Sequence, residues 1–270
     1  MGFDSQITFI VCCPRSGSTW LRLLLNSHPQ IICENETFIF TASAGIANLF
    51  KAHNLELGFK GLRRYVTREE LVKFTSTYIE NIFTCKLKKK QKLFIVEKSV
   101  EHAFYISLIR EIFPDSKFIH LVRDGRDVAI SITEASKTWQ VDFPQDITEA
   151  FDMWNIHNTE IERQLFLVKK QNKFFLKFED LYCNTKAELN LIYDFIGASK
   201  LLDSDVEEIV SENEFSILKE KYISWGNGNF FRKGKPNQWK HQFSKFENKQ
   251  ALSVIGDMLK RYDYEMGSVN

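Results

Sequence analysis

Residues 7–20 read ITFIVCCPRSGSTW, an apolar run that ends in a Pro-Arg-Ser-Gly turn and passes into a stretch whose apolar residues recur at three and four. The run Ile7 to Cys13 is nearly continuous in apolar character, as expected of a strand buried on both faces of a parallel sheet. The stretch Ser18 to Asn26 reads as an amphipathic helix. A tight turn from such a strand into a helix N-terminus aims backbone N–H groups and the positive dipole end at one point, where an anion is stabilised. Gly17 permits close approach, Ser18 and Thr19 add hydroxyl donors, and Arg15 supplies a planar cationic fork suited to tetrahedral oxyanions. The plain alternative is an ordinary turn with Ser or Thr as helix cap. The turn departs from the pattern GxxxxGK followed by Ser or Thr, because Ser18 stands where that pattern has lysine.

Working outward, similar apolar runs occur at Leu93 to Val96, Phe118 to Val122 and Phe174 to Phe178, and helical spacing occurs at Ala103 to Phe113, Arg126 to Ser136, Ile147 to Lys170 and Lys186 to Ile196. His28 and Pro29 close the first helix, Pro114 another, and Gly197 stands at a C′ position. Alternating strand and helix predicts an α/β fold in three layers, a central parallel sheet flanked by helices. No repeat, low-complexity segment or linker divides the chain, so residues 1–270 are expected to form one domain. Lys86 to Lys92 carries five lysines and reads as a solvated connection.

The 36 basic and 35 acidic residues nearly cancel, so anion binding must come from local clustering, and a nucleic-acid partner is not expected. Five cysteines, odd in number and without CxxC spacing, predict a reducing, cytoplasmic setting. No signal-like or membrane-spanning stretch is evident. The six histidines lack ligand spacing such as HxxxH, and no metal is expected.

A second anion site is predicted at VRDGRDVAIS, residues 122–131. It starts at the carboxyl end of a strand, where open α/β sheets bind ligands, and places Arg123 there with Ser131 in the second turn of the helix that follows. The alternative is a surface ion pair between Arg123 and Asp127. The segment Arg232 to Phe246 carries Arg232, Lys233, Lys235, Lys240 and Lys245 with no acidic residue, among the aromatics Phe230, Phe231, Trp239 and Phe243. It could fold over an anionic nucleotide or form a basic surface loop.

Taken together, PRSGSTW, VRDGRDVAIS and the tail FFRKGKPNQWKHQF resemble the family of sulfotransferases that use 3′-phosphoadenosine 5′-phosphosulfate (PAPS), over nearly the whole chain. The resemblance implies a fold like that of the P-loop nucleotide hydrolases. It implies that Arg15, Ser16, Gly17, Ser18, Thr19 and Trp20 hold the 5′-phosphosulfate. Arg123 and Ser131 would hold the 3′-phosphate, and Arg232, Lys233 and Gly234, in a covering segment near 225–247, would close over it. Phe215 in ENEFSIL resembles the aromatic that packs on adenine, although a Phe at helical spacing also suits a core. Lys98 in VEKSVEH matches a lysine that bridges donor and transition state; an ion pair with Glu97 or Glu101 is the alternative.

The acceptor also needs a general base. Many relatives carry Thr and then a catalytic His after the lysine, whereas this chain has Ser99 and Val100. Two candidates remain. His102 stands two positions further on, and Glu36 lies in SHPQIICENETF, which resembles the branch that sulfates protein tyrosines. Glu36 is preferred; a cleft beside Ile31, Ile32 and Phe38 would raise its pKa by desolvation. Pro236, Asn237 and Gln238 depart from the family's tail, and Phe178 stands where many relatives have Tyr.

The predicted activity is sulfuryl transfer from PAPS to a hydroxyl or amine, with adenosine 3′,5′-bisphosphate as product. The rivals are a P-loop kinase-like enzyme and a catalytically silent nucleotide-binding protein. Residues Thr37 to Asn81 and Lys137 to Gln145 are expected to shape the acceptor pocket, whether for a small molecule, a carbohydrate or a peptide. The oligomeric state is left open.

Overall fold

The computed structural model describes residues 2–55, 61–138, 143–224 and 234–267. Along the chain, β1 (Ile7–Val11) leads into α1 (Ser18–Asn26), followed by β2 (Ile31–Ile32), α2 (Ala47–Asn54) and α3 (Arg68–Lys90). Then come β3 (Phe94–Lys98), α4 (Ile106–Ile112), β4 (Lys117–Val122), α5 (Gly125–Thr138), α6 (Ile147–Leu165) and β5 (Lys173–Lys177). The remainder is helical: α7 (Phe178–Cys183), α8 (Thr185–Ile196), α9 (Asp203–Glu212), α10 (Phe215–Ser224), α11 (Trp239–Gln242) and α12 (Lys245–Arg261).

The five strands form one parallel sheet in the order β2-β3-β1-β4-β5. Side chains alternate across it, as period two requires. Ile10, Cys12, Val96, Ile119 and Leu121 face a core with α1 and α8, whereas Ile7, Phe9, Val11, Ile95 and Phe118 face another with α3 and α4. A third cluster joins α5, α6 and α12 to Trp239 and Phe243 of the tail. These layers are the α/β architecture expected.

The chain runs outward from β1 to β2 and β3, then returns to β4 on the other side of β1. The crevice outside the carboxyl ends of β1 and β4 is therefore a topological switch point, where such sheets bind ligands. Register fixes what stands there: Ile10 pairs with Lys98 and Val11 with His120. Lys98 and Arg123 thus flank the turn that leaves β1.

Three sequence expectations need correction. Lys86 to Lys92 is no solvated connection: residues 86–90 are the last turns of α3, whose carbonyl dipole end favours Lys88, Lys89 and Lys90, and Gln91 ends the helix in the left-handed region at φ 53°. The periodicity of α3 is masked in the sequence because apolar residues occupy two of its faces. Leu71, Thr75, Ile79, Phe83 and Leu87 are buried at spacing four, while Phe74, Tyr78 and Ile82 are exposed at the same spacing. A capping box, Thr67 with Glu70, starts it. The helix expected over Ile147 to Lys170 stops at Leu165, and that over Ala103 to Phe113 is a 3₁₀ turn, Val100–Phe104, followed by α4.

Candidate functional site

The turn after β1 bends through two left-handed residues, Arg15 at φ 68° and Gly17 at φ 95°. A Cβ on Gly17 would stand 2.4 Å from Cδ2 of Phe178, so glycine is required both for its backbone and for this approach. α1 begins directly after it, with Trp20 and Leu21 donating to the Gly17 carbonyl, and its first N–H groups lack intrahelical acceptors by geometry.

The two predicted anion sites meet. Arg15 Nε donates to Ser131 Oγ at 3.1 Å, linking the β1 turn to the second turn of α5. Arg123 stacks its guanidinium 4.6 Å from the Phe178 ring, the same ring that closes on Gly17. Among the described residues, Ser16 Oγ and Arg123 Nε are buried donors beside this turn without a hydrogen-bond partner. Buried donors of this kind are uncommon because each costs about 1–3 kcal/mol, and a bound oxyanion would satisfy both. The residues present therefore fit a phosphorylated ligand.

The tail reaches the same crevice. Arg123 Nη2 donates to the Lys235 carbonyl at 2.9 Å, and the Trp239 N–H donates to Asp127 at 2.9 Å. Arg126, bidentate on Asp124, places its guanidinium 3.5 Å from the Trp239 ring. The Arg123–Asp127 pair is thus buried and is no surface ion pair. Burial raises the Asp127 carboxyl pKa, and the Arg123 charge and the Trp239 N–H offset only part of that. Sequence reasoning missed Asp127 as the anchor of the tail. A signal was present, since an acid in a first helical turn opposite a cationic, aromatic segment has an obvious partner.

Gly234 lies against Phe215, where a Cβ would be 2.1 Å from Cε1. The Phe215 ring in turn lies 4.9 Å from Trp20. Trp20 itself is buried, with its Nε1–H on the Asn213 carbonyl at 2.9 Å. Arg232 and Lys233 lie outside the described residues.

On the β3 side, Lys98 is buried and its ammonium pairs with the Glu36 carboxylate, not with Glu97 or Glu101. Glu36 sits on the strap between β2 and α2, with its side chain 25% exposed. Lys98 and Glu36 both act on the buried Cys12 thiol, whose pKa is raised to about 11, first by burial; the Lys98 charge and a hydrogen bond with Ser18 oppose this and the Glu36 charge adds to it. The β1 turn and the Lys98–Glu36 pair are therefore neighbours.

His102 is fully buried between the rings of Phe9 and Phe40, its Nδ1 2.7 Å from Oε2 of Glu97, though off the direction of a straight hydrogen bond. A cavity of about 310 Å³ adjoins the strap, lined by Thr37, Ile82, Phe83, Ile95 and Glu97, with Lys86 at its edge paired to Glu34 at 2.8 Å. A second, of about 440 Å³, lies between Ile39–Leu49 and the α3 residues Leu71, Phe74 and Tyr78. Among the described residues no three His, Cys, Asp or Glu side chains are grouped to hold a metal ion, and no helix is long and apolar enough to cross a membrane.

A family model described as "Sulfotransferase family" matches residues 8–201. A Caenorhabditis elegans protein named protein-tyrosine sulfotransferase A is 25% identical over 193 residues, 71% of this chain and 50% of its own. A Caenorhabditis briggsae protein named putative protein-tyrosine sulfotransferase is 26% identical, over 80% of this chain and 76% of its own. The chain thus spans half the length of the C. elegans relative, and 42% of a Drosophila melanogaster one named protein-tyrosine sulfotransferase. Among solved structures, a mouse sulfotransferase complexed with PAP superposes with TM-score 0.63 at 14% identity, covering 96% of this chain and 86% of that one. The sulfotransferase domain from the curacin biosynthetic pathway gives 0.57 at 17% identity, covering 97% and 98%.

Proposed function

The chain belongs to the sulfotransferase family, and from that premise we propose that it transfers a sulfuryl group from PAPS to an acceptor hydroxyl, releasing adenosine 3′,5′-bisphosphate. The observation that carries this reading is the Arg15–Ser131 hydrogen bond, because it brings the two predicted phosphate-binding segments within reach of one nucleotide. The unpartnered donors of Ser16 and Arg123 in the same crevice support it.

In this reading the β1 turn and Arg15 hold the 5′-phosphosulfate, and Arg123 with Ser131 holds the 3′-phosphate, where the tail's anchorage through Asp127 and Trp239 keeps residues 234–239 against it. The donor supplies a sulfuryl group whose bond to the 5′-phosphate breaks as the acceptor oxygen bonds to sulfur, the electron pair leaving with the bisphosphate. Lys98, buried at the end of β3, stabilises the charge that grows on that leaving oxygen. Glu36 accepts the acceptor proton. In the free protein each already faces the other, so the pair stands preassembled. His102, enclosed by Phe9, Phe40 and Glu97, is badly placed for that role.

We place the acceptor body along the strap and α3, where the two cavities lie; the second is lined by residues within Thr37 to Asn81. The relatives' names make a peptide tyrosine the first acceptor to test. Cytoplasmic residence remains the reading that five unpaired cysteines favour.

The test is calorimetric titration with adenosine 3′,5′-bisphosphate, followed by product-nucleotide release from PAPS with a tyrosine peptide, a phenol and a sugar. Binding that Arg15→Ala and Arg123→Ala each weaken supports the reading. No binding would sink it, and binding without release for any acceptor would favour a silent nucleotide-binding protein.

A further inference from the structure

Glu97 is a buried carboxylate at the end of β3 that has no part in the chemistry assigned above. Its Oε1 accepts three hydrogen bonds, from the Thr37 N–H at 3.2 Å, the Thr37 hydroxyl at 2.7 Å and the Ser99 hydroxyl at 2.8 Å. On its other oxygen stands His102 at 2.7 Å. The Ser99 oxygen also accepts the Phe38 N–H at 3.2 Å.

Alternation along an extended strand sends residues 97 and 99 to one side and residue 98 to the other. The result is an interlock: Lys98 meets Glu36, Glu97 meets Thr37, and Ser99 meets Phe38. Phe38 is held at φ 55°, a left-handed conformation that a bulky residue adopts only when its surroundings enforce it. The carbonyl of Phe38 is fixed from the other side by the Thr41 N–H at 2.9 Å and the Thr41 hydroxyl at 2.8 Å. Backbone strain beside the proposed base, held by a buried acid whose Oε1 accepts three hydrogen bonds, points to enforced geometry.

We propose that Glu97, braced by His102 and acting with Ser99, is a positioning residue that fixes the strap at Thr37 and Phe38 so that the Glu36 carboxylate meets Lys98. The proposal rests on the reading of Glu36 as the base. Glu97 touches neither donor nor acceptor in it; its effect passes through Thr37. Small misplacements of a reacting group cost as much as about a hundredfold in rate, so a loosened strap should be visible in kcat.

The experiment compares Thr37→Val, Thr37→Ser, Glu97→Gln and Glu36→Gln in the full chain, with PAPS and a tyrosine peptide as substrates. It reads kcat, the KM for PAPS, the melting temperature, and amide hydrogen exchange at residues 37 and 38. Thr37→Val keeps the side chain's shape on an exposed residue and removes only the hydroxyl, so the fold should persist where Glu97→Gln could disturb it. The expected result is kcat down about tenfold for Thr37→Val, restored by Thr37→Ser, with KM for PAPS unchanged and exchange at 37 and 38 faster. If Glu36→Gln is inactive while Thr37→Val and Glu97→Gln stay within about twofold of the parent, the base stands and the positioning role is overturned. Unchanged exchange in Thr37→Val also overturns it, whatever the peptide shows. Full turnover by Glu36→Gln overturns the base assignment and this proposal with it.

Discussion

Two polar clusters stand at the same edge of the sheet and differ in which of their groups are paired. Around the β1 turn, Ser16 Oγ and Arg123 Nε are buried without partners among the described residues. Around the strap, Glu97 is buried and its Oε1 accepts from Thr37 and Ser99, while its Oε2 and the His102 Nδ1 meet as a close contact without a hydrogen bond among the described residues. Leaving a buried donor unmade costs about 1–3 kcal/mol, which a free protein tolerates where a ligand later offsets it. A buried carboxylate without partners is tolerated nowhere comparable. The unpaired donors of the first cluster suit an anion, and the thrice-bonded Oε1 of Glu97 in the second suits holding the strap.

The largest expected effect tests whether the strap carries the chemistry. Glu36→Gln should lower turnover by about a hundredfold to ten-thousandfold, the usual contribution of a positioned base. Affinity for adenosine 3′,5′-bisphosphate, measured by titration calorimetry, should be unchanged. Weakened nucleotide binding in that variant would merge the two clusters into one and break the contrast.

Next is the stability held in the strap cluster. Glu97→Ala leaves the buried Ser99 hydroxyl and His102 without their acidic partner and frees the Thr37 donors, and should cost about 3–5 kcal/mol in urea unfolding. The pH dependence has a definite sign. Burial alone would raise the Glu97 pKa, but the nearby His102 and the hydrogen bonds from Thr37 and Ser99 outweigh it and lower it. An acid whose folded pKa is depressed contributes stability above its ordinary value of 4.5 and loses it as pH falls through the folded value. Asp127 has the opposite sign: its raised pKa favours the fold below the ordinary 3.8, and that contribution is lost as pH rises through the raised value. Subtracting the Glu97→Gln stability curve from the parent's should leave a loss confined to pH below 4.5. A difference independent of pH would show that Glu97 is not charged in the fold.

The two clusters also differ in how far they could be read from sequence. The β1 turn was legible because its signal is local: strand, turn and helix lie within residues 7–26, and periodicity with a helix N-terminus suffices. α1 and the turn's glycine appear where expected. The strap network was not legible, since Thr37 and Glu97 are sixty residues apart and nothing in either segment names the other. β2, only Ile31–Ile32, is too short to carry a pattern, and α3 hides its period by placing Phe74, Tyr78 and Ile82 outward. Asp127 and Trp239 form a similar long-range pair.

On the binding side, Arg123→Ala removes a cation buried beside Phe178. A hydrogen bond to a charged group contributes about 1.5–3 kcal/mol, so affinity for adenosine 3′,5′-bisphosphate should fall about ten- to a hundredfold. The same calorimetry with adenosine 5′-phosphosulfate, which lacks the 3′-phosphate, should show a much smaller loss. Equal losses for both ligands would remove Arg123 from the 3′-phosphate.

The smallest effect is the sharpest for the contrast. Ser16 is 1% exposed and its hydroxyl has no partner among the described residues. Deleting it removes an uncompensated polar group from the interior, so Ser16→Ala should leave the free protein as stable as before or raise its stability by up to about 1 kcal/mol. The nucleotide complex should move the other way, losing a hydrogen bond of about 0.5–1.5 kcal/mol, a two- to tenfold weaker affinity. A satisfied hydroxyl such as that of Ser99 must do the reverse, because its loss strands Phe38 N–H and one lone pair of Glu97 in the free protein. Thermal melts of Ser16→Ala and Ser99→Ala, each with and without adenosine 3′,5′-bisphosphate, therefore give opposite signs. If Ser16→Ala instead destabilises the free protein, its hydroxyl is already paired, and the distinction between a waiting hydroxyl and a bonded one falls.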